Sequence, residues 1–304
     1  MTSDRPRPLR MVVACVGWAG CFLLLGIALR GSPPLWVATW RALLAGSTLL
    51  AVSAGRTLLA RHARRGSDAR GIVATPWPLV AVMALANVSV GLGAMATAAG
   101  GTSTGAATVL ANAQPLLVVL PAWMLYGERP WRWTLPALGV GAVGLVLTAD
   151  PSASLAGSAA ALLASVGLAV STLFARRIGT ADLLAVGGWQ YVFGGVLLGV
   201  TALAVEGHPV VPLRLGAVAA LLALSVFGTA VPLVIWLGEA RRCAVTPLAA
   251  WPLLVPVLGV VLGVLAAGER PGPVALLGYG LVLAATVVVL VGENHATAAD
   301  HIHR

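Results

Sequence analysis

The sequence predicts an all-α integral membrane protein whose ten transmembrane helices form two inverted five-helix repeats. Three observations lead to this prediction. Hydrophobic residues make up 59% of the 304 residues and charged residues only 10%, which leaves too little polar surface for a soluble domain of this length. Charge-free runs long enough to cross a bilayer follow one another almost end to end. Segments of the first half also return in the second half.

The predicted spans follow from the lengths of the apolar runs, since a helix crosses the roughly 30 Å hydrocarbon core in about 20 residues. The run 71–127 contains no charge and is too long for one helix, so we divide it at the polar turn 100–105. The ten predicted spans are 11–29, 34–53, 77–98, 104–126, 132–149, 154–175, 183–205, 215–238, 244–267 and 272–292.

A duplicated motif indicates the repeat. The tetrapeptide Gly127-Glu128-Arg129-Pro130 returns as Gly268-Glu269-Arg270-Pro271. Proline, charge and glycine recur in the same order, which a chance match would not produce, and such repeats are typical of secondary transporters. The same shift carries two further positions with it, Pro115 onto Pro256 and Gly139 onto Gly280.

The number of spans in each repeat sets their relative orientation. We place the first repeat at 1–151, the second at 152–293 and a cytoplasmic tail at 294–304. Because five is an odd number of crossings, the second repeat enters the membrane from the opposite side to the first. Two inverted copies of one scaffold supply the two near-equivalent packings that alternating access requires.

The placement of arginine predicts the orientation of the whole chain. The sequence contains no lysine, and its arginines gather before the first span and in the even-numbered connections. By the positive-inside rule both termini face the cytoplasm, and we place the protein in the bacterial inner membrane. The net charge of +9 then reflects orientation and contact with the lipid bilayer, and the dispersed arginines give no reason to expect a nucleic-acid partner.

Arg41 is the strongest single candidate for a functional residue, because it lies about 10 Å inside the second span. An arginine at depth costs about 2.5–3.5 kcal/mol on insertion scales, so it normally faces a wet cavity or a partner group. Its planar guanidinium suits a substrate carboxylate or another anionic group. The structural alternative is that it reaches the outer interface or bonds to backbone carbonyls of a neighbouring helix. The sequence favours neither.

Two prolines and a set of amide side chains add to the candidate substrate-binding site. Pro115 and Pro256 occupy matching positions in the fourth and ninth spans, where each frees a backbone carbonyl. Paired breaks point to a central site, with kinking for helix packing as the alternative. Helix-to-helix hydrogen bonds would equally satisfy the amides. The amide candidates are Asn87, Asn112, Gln114 and Gln190.

Aromatic and acidic residues complete the candidates. Trp18 and Trp236 lie deep in predicted spans, where they line a substrate path or fill space between helices. Glu128 and Glu269 end the fourth and ninth spans. We interpret these two as structural hinge residues rather than proton sites, since each precedes an arginine and a proline that suits the first turn of the next helix.

Several absences exclude other function classes. The predicted spans hold no buried Asp or Glu, and the chain has no zinc-protease motif, Ser-His-Asp set or lysine-containing phosphate loop. We therefore expect no catalytic residue, no metal site and no cofactor. Glycine pairs such as Gly195 and Gly199 indicate close helix contacts, either within the chain or between two copies in a homodimer.

The chain resembles the drug/metabolite transporter superfamily, and within it the EamA-type permeases with two five-helix repeats. The resemblance rests on Arg41 in the second span, on the segment from Gln114 to Arg129, and on the second copy from Pro256 to Gly280. It implies ten helices, cytoplasmic termini and a central cavity formed largely by helices one, three, four, six, eight and nine. It also implies permeation or export of small metabolites such as amino acids and their derivatives.

We therefore predict a secondary transporter that exports a small-molecule substrate by alternating access, and not an enzyme. Small four-helix relatives couple drug export to protons through a glutamate in the first helix, where this chain has Trp18 and no acid. Two alternatives stay open. One is efflux of a hydrophobic drug, and the other is a role as a membrane-embedded enzyme or assembly subunit.

Overall fold

The described part of the chain is helical. The computed structural model describes residues 6–63, 75–101, 114–127, 130–148, 155–211, 214–267 and 272–302, and these ranges contain no β-strand. In them, six helices are long and apolar enough to cross a membrane by length and composition, and four shorter helices are also apolar.

The helical segments of these ranges are labelled in chain order. They are α1 (Pro8–Ala28), α2 (Pro34–Ala63), α3 (Trp77–Met83, Ala84–Leu92 and Gly93–Gly101), α4 (Gln114–Tyr126), α5 (Thr134–Thr148), α6 (Leu155–Ala175), α7 (Leu183–Val205), α8 (Leu215–Ser225, Val226–Ala230 and Val231–Ala240), α9 (Val245–Ala250, Trp251–Leu253 and Leu254–Ala267) and α10 (Pro273–Ile302).

The helices match the predicted spans closely at some ends and exceed them at others. α7 coincides with the predicted span 183–205, whereas α2 and α10 continue past their predicted ends to Ala63 and Ile302. Good helix formers such as Ala, Leu, Arg and Glu follow the apolar runs there, so the helix outlasts the hydrophobic segment. The beginning of the predicted fourth span, 104–113, lies outside the described residues.

The outer surface of the helix bundle is apolar. Large hydrophobic side chains are exposed along it, among them Met124, Val146, Val200 and Leu277. An exposed apolar surface of this extent is stable against lipid rather than water. The chain is therefore a multi-pass membrane protein.

A carboxylate joins the end of α7 to the start of α2. Glu206, the residue after α7, accepts hydrogen bonds from the backbone N–H groups of Leu35 (2.9 Å) and Trp36 (3.0 Å). These groups belong to the first turn of α2, where N–H groups have no partner within the helix and negative charge is favourable. Since α7 ends where α2 begins, the two helices run in opposite directions.

Glycines bring α2 and α7 into close contact along their length. A Cβ atom on Gly188 would lie 2.7 Å from the side chain of Leu50, and one on Gly195 would lie 3.1 Å from the Cβ atom of Ala42. Later residues of α7 thus pair with earlier residues of α2, as an antiparallel register requires. Small residues at these positions permit the approach of the two backbones.

The helices α5 and α10 form a second antiparallel pair. A Cβ atom on Gly144 would lie 2.6 Å from the carbonyl oxygen of Gly278, and one on Gly141 would lie 3.2 Å from the Cβ atom of Ala285. The other contacts follow a related pattern, because α1 packs on α8 and α9 while α6 packs on α3 and α4. If each helix of the first five is exchanged with its counterpart in the last five, the packing of α1 on α8 and α9 becomes the packing of α6 on α3 and α4.

We expect the substitution Gly144→Ala to destabilise the protein, because its methyl group would collide with the backbone of α10. Overpacking of this kind costs about 1–3 kcal/mol. Gly139→Ala is the matched control in the same helix, since a Cβ atom there meets nothing within 4 Å and alanine is the better helix former. Thermal unfolding in detergent measures both, and equal unfolding temperatures would contradict the contact between α5 and α10.

Candidate functional site

A cavity of about 110 Å³ lies between the helices. Neither α5 nor α10 contributes a described side chain to its wall. The wall residues by helix are Trp18 and Cys21 (α1), Arg41 (α2), Asn87, Gly91, Leu92 and Met95 (α3), Gln114 (α4), Leu168, Ser171 and Thr172 (α6), Tyr191 (α7), Leu233, Trp236 and Leu237 (α8), and Pro252 and Val255 (α9).

Two helices beside the cavity contain a stretch of π-helix. In α3 this stretch is Ala84–Leu92, and in α8 it is Val226–Ala230, where the N–H of Val231 bonds to the carbonyl of Val226 five residues back. Turns of this type are frequent at functional sites, because they displace backbone groups from the regular ladder. Both stretches lie in the third helix of their half of the chain.

Pro232 leaves one backbone carbonyl of α8 without its usual helical partner. Proline has no N–H, so the carbonyl of Gly228 four residues earlier is free to accept other donors. It accepts from the Cys21 thiol at 3.0 Å and from Nη2 of Arg41 at 3.4 Å. The sequence interpretation singled out Pro115 and Pro256 for this effect and did not consider Pro232.

The Arg41 guanidinium is held by groups of α1 and α8. Its Nε donates to Oγ1 of Thr229 at 2.7 Å, and its Nη2 contacts Sγ of Cys21 at 3.3 Å. The Thr229 hydroxyl in turn donates to the carbonyl of Leu224 at 2.9 Å. Arg41 is only 6% exposed, so it does not reach the outer interface. It both bonds to a neighbouring helix and lines the cavity.

No carboxylate of the described residues pairs with Arg41, and within the same residues its Nη1 has no hydrogen-bond partner. A guanidinium has five N–H donors, and the contacts to Thr229, Cys21 and Gly228 use only Nε and Nη2. As far as the described residues extend, one side of this cation is therefore open to the cavity.

Neutral polar side chains form the rest of the polar part of the cavity wall. Nε2 of Gln114 donates to Oγ1 of Thr172 at 2.7 Å. Tyr191, which is buried, lies close to Arg41 and to the Asn87 side chain. Sequence reasoning missed Tyr191 and Thr172, although a tyrosine in the middle of an apolar span was a visible signal.

The remaining wall is aromatic and aliphatic. Trp18 and Trp236 meet edge to face, with ring centroids 5.3 Å apart. Leu233, Leu237 and Val255 extend this apolar face. The cavity thus combines one cation, several neutral hydrogen-bonding groups and an apolar side.

Several predicted site residues lie away from the cavity wall or outside the described residues. Gln190 is fully buried away from the cavity wall, and among the described residues neither of its amide atoms has a hydrogen-bond partner. Pro115 and Pro256 lie in α4 and α9, but their side chains are outside the description. Asn112, Glu128 and Glu269 lie outside the described residues.

The break in α9 lies four residues before Pro256. Trp251–Leu253 forms a turn of 3₁₀-helix, and Pro252 in this turn lines the cavity. Neither Pro252 nor Pro256 has an N–H to continue the α-helical ladder, which accounts for the tighter turn.

The eighth helix extends past its predicted end at residue 238 and thereby includes a buried acidic residue that the predicted span leaves out. Glu239 is fully buried in the last turn of α8, one residue past the predicted end of that span. Its carboxylate accepts from the backbone N–H of Arg7 at 3.1 Å and pairs with Arg242 at 2.5 Å and with Arg10 at 3.6 Å. Glu239 thereby joins the start of α1 to the end of α8 and does not line the cavity.

The described residues contain no group of three or more side chains that could hold a metal ion.

Comparison with known proteins points to transport. The sequence profile of the EamA-like transporter family matches residues 8–149 and again residues 155–291. The matches therefore cover nearly the whole chain in two copies.

Individual relatives agree with this match. A WAT1-related chloroplastic protein of Arabidopsis thaliana is 30% identical over 91% of this chain and 68% of its own length. The uncharacterized transporter YvbV of Bacillus subtilis is 24% identical over 94% of this chain and 91% of its own. A solved crystal structure superposes with a TM-score of 0.74 at 21% identity, over 94% of this chain and 97% of that one, which shows a common fold.

The unpartnered amide of Gln190 leads to a prediction about stability. Replacing Gln190 with Met keeps the length of the side chain and removes polar atoms that lack partners, so the free energy of unfolding should stay the same or rise by up to about 1 kcal/mol. Gln114→Met is the matched comparison, because it loses the bond to Thr172 and should cost about 0.6 kcal/mol or more. The free energy of unfolding in detergent, measured for both variants, tests this prediction. A large loss of stability in Gln190→Met would mean that this amide has a structural partner.

Proposed function

Because the chain belongs to the EamA-like transporter family, we propose that it is a secondary transporter that exports a small metabolite, such as an amino acid or a derivative, by alternating access. The cavity is the observation that carries this proposal. It lies among membrane helices and presents one cation, neutral polar groups and aromatic rings. A pocket with a few convergent polar groups on an otherwise apolar wall is typical of a small-molecule site.

The antiparallel helix pairs support ten spans in two inverted repeats. If the repeats had the same orientation, α2 and α7 would run parallel, and so would α5 and α10. Both pairs run antiparallel instead. The exchange pattern of the other contacts agrees with a two-fold relation between the halves. The arginines in the even-numbered connections then favour cytoplasmic termini, and we place the protein in the bacterial inner membrane.

Two carboxylates offer contacts that opening of the cavity would break. Glu239 joins α1 and α8 at the end where α1 begins, and Glu206 joins α2 and α7 at the end where α2 begins. Because α1 and α2 start on opposite faces of the membrane, Glu239 holds the cytoplasmic end and Glu206 the outer end. Rocking one repeat against the other would release one contact at a time.

The charge of the cavity argues against efflux of cationic drugs. Arg41 would repel such a compound in a medium of low dielectric constant. The described wall residues form no recognisable catalytic set, so none of them favours a membrane-embedded enzyme.

We expect Glu239→Gln to open the cytoplasmic end of the protein more often, because the amide cannot replace the ion pairs with Arg10 and Arg242. Loss of a charge-assisted hydrogen bond shifts such an equilibrium by about 10-fold or more. The measurement is labelling of Cys21 by a membrane-impermeant maleimide in vesicles, in a Cys15→Ala/Cys243→Ala background. Glu206→Gln should raise labelling from the outer side instead, and unchanged rates from both sides would contradict the assignment of these contacts.

Transport by the purified protein tests the function itself. Proteoliposomes that contain this chain alone should accumulate a labelled small metabolite by counterflow, and comparison of the compounds released by cells with and without the gene selects the candidates. Empty liposomes are the control. If the purified protein moves no compound from that selection, or exports only lipophilic cations, the proposal is wrong.

A further inference from the structure

Within the proposed transport function, we infer that the substrate is a small monocarboxylate without an ammonium group, and that Arg41 binds its carboxylate. The inference rests on the charge inventory of the cavity wall. Arg41 is the single charged side chain among the described wall residues. A buried cation without a counter-ion is costly, and an anionic ligand removes that cost.

The geometry of Arg41 leaves a defined place for the carboxylate. Thr229, Cys21 and the Gly228 carbonyl occupy Nε and Nη2 and fix the plane of the guanidinium. Nη1 has no partner among the described residues, so we assign it to the ligand, and Tyr191 and Asn87 lie nearby with further hydrogen-bonding groups. Charge-assisted bonds from a pre-oriented guanidinium to a carboxylate are among the strong hydrogen bonds of proteins.

The same wall offers no carboxylate for an ammonium group. An amino acid in its zwitterionic form would bring a second charge that finds only neutral partners among the described wall residues. Leaving a charge unpaired in such a place opposes binding. An amino-acid derivative that has lost or masked its amine avoids this cost, and Trp18, Trp236 and the neighbouring aliphatic residues accept its apolar part.

The volume limits the size of the ligand. The cavity of about 110 Å³ is smaller than the roughly 150 Å³ that hold a benzene ring in an engineered apolar cavity. Since benzene has six non-hydrogen atoms, a compound of no more than about six such atoms is the suitable probe. Butanoate has this size, and butanamide has the same shape without the charge.

The test measures binding of radiolabelled butanoate to the full-length protein in lipid nanodiscs. Competition should follow charge: unlabelled butanoate displaces the label best, whereas butanamide, zwitterionic 2-aminobutanoate and butylammonium are each at least about 10-fold weaker. Equal competition by butanamide would overturn the role of the anion. Stronger competition by 2-aminobutanoate would overturn the exclusion of ammonium, and absence of any butanoate binding to folded protein would overturn both.

Variants assign the effect to Arg41. Arg41→Gln should weaken butanoate binding about 10- to 100-fold, and Arg41→Lys, which keeps the charge but not the fork, should lie between it and the unchanged protein. Thr229→Val removes the acceptor of Nε with little change of shape and should weaken butanoate binding by a smaller factor. This variant tests the inference if Arg41→Gln fails to fold. Arg30→Gln, at an exposed loop position, is the control. Butanoate binding that survives in folded Arg41→Gln would refute the inference.

Parallel counterflow measurements separate this inference from the proposed function. Arg41-dependent binding without transport by the purified protein would reject the transport proposal and leave the recognition of the carboxylate standing. Transport of a neutral or zwitterionic compound that is unaffected in Arg41→Gln would do the opposite.

Discussion

Burial of one guanidinium within the membrane depends on an irregular stretch of α8. A regular α-helix would use its backbone carbonyls internally and offer none of them to Arg41. The π-helical turn Val226–Ala230 and Pro232 together release the Gly228 carbonyl and present Thr229 toward α2. The about 2.5–3.5 kcal/mol that an arginine costs at depth is offset in part by these contacts. Because they join helices from both halves of the chain, the charge is fixed where the halves meet.

The arrangement of helices explains why the cavity forms at this junction. Glycine contacts draw α2 against α7 and α5 against α10, and no described side chain of the α5–α10 pair lines the cavity. The remaining helices cross between the halves, with α1 on α8 and α9 and α6 on α3 and α4. The π-helical stretches of α3 and α8 lie on these crossings, where irregular backbone is tolerated because one face of each stretch is buried against protein.

Charge is distributed so that the two ends of the bundle and its centre have different chemistry. Glu206 follows α7 and Glu239 lies in the last turn of α8, two helices of the second half. Each carboxylate accepts hydrogen bonds from backbone N–H groups at the start of a helix in the first half. The centre holds Arg41 without a carboxylate partner in the described residues. Carboxylates thus stabilise contacts between helix ends, while Arg41 is the residue that we propose for ligand binding.

The amino-acid sequence alone determined the membrane class, the approximate spans and the family resemblance, because these depend on hydrophobic run length and on a duplicated motif. It also nominated Arg41, Trp18, Asn87, Gln114 and Trp236, which lie together on the cavity wall, since polar or aromatic residues at depth are rare enough to stand out. Tertiary structure decided the rest. That Gln190 turns away from the cavity, that Tyr191 and Thr172 face it, that Glu239 is buried and that the Gly228 carbonyl freed by Pro232 meets Arg41 all depend on helix rotation and local backbone form. Neither helix rotation nor local backbone form has a signature in composition. Rotating a helix about its axis, for example, changes which residues meet without changing the length or hydrophobicity of the helix.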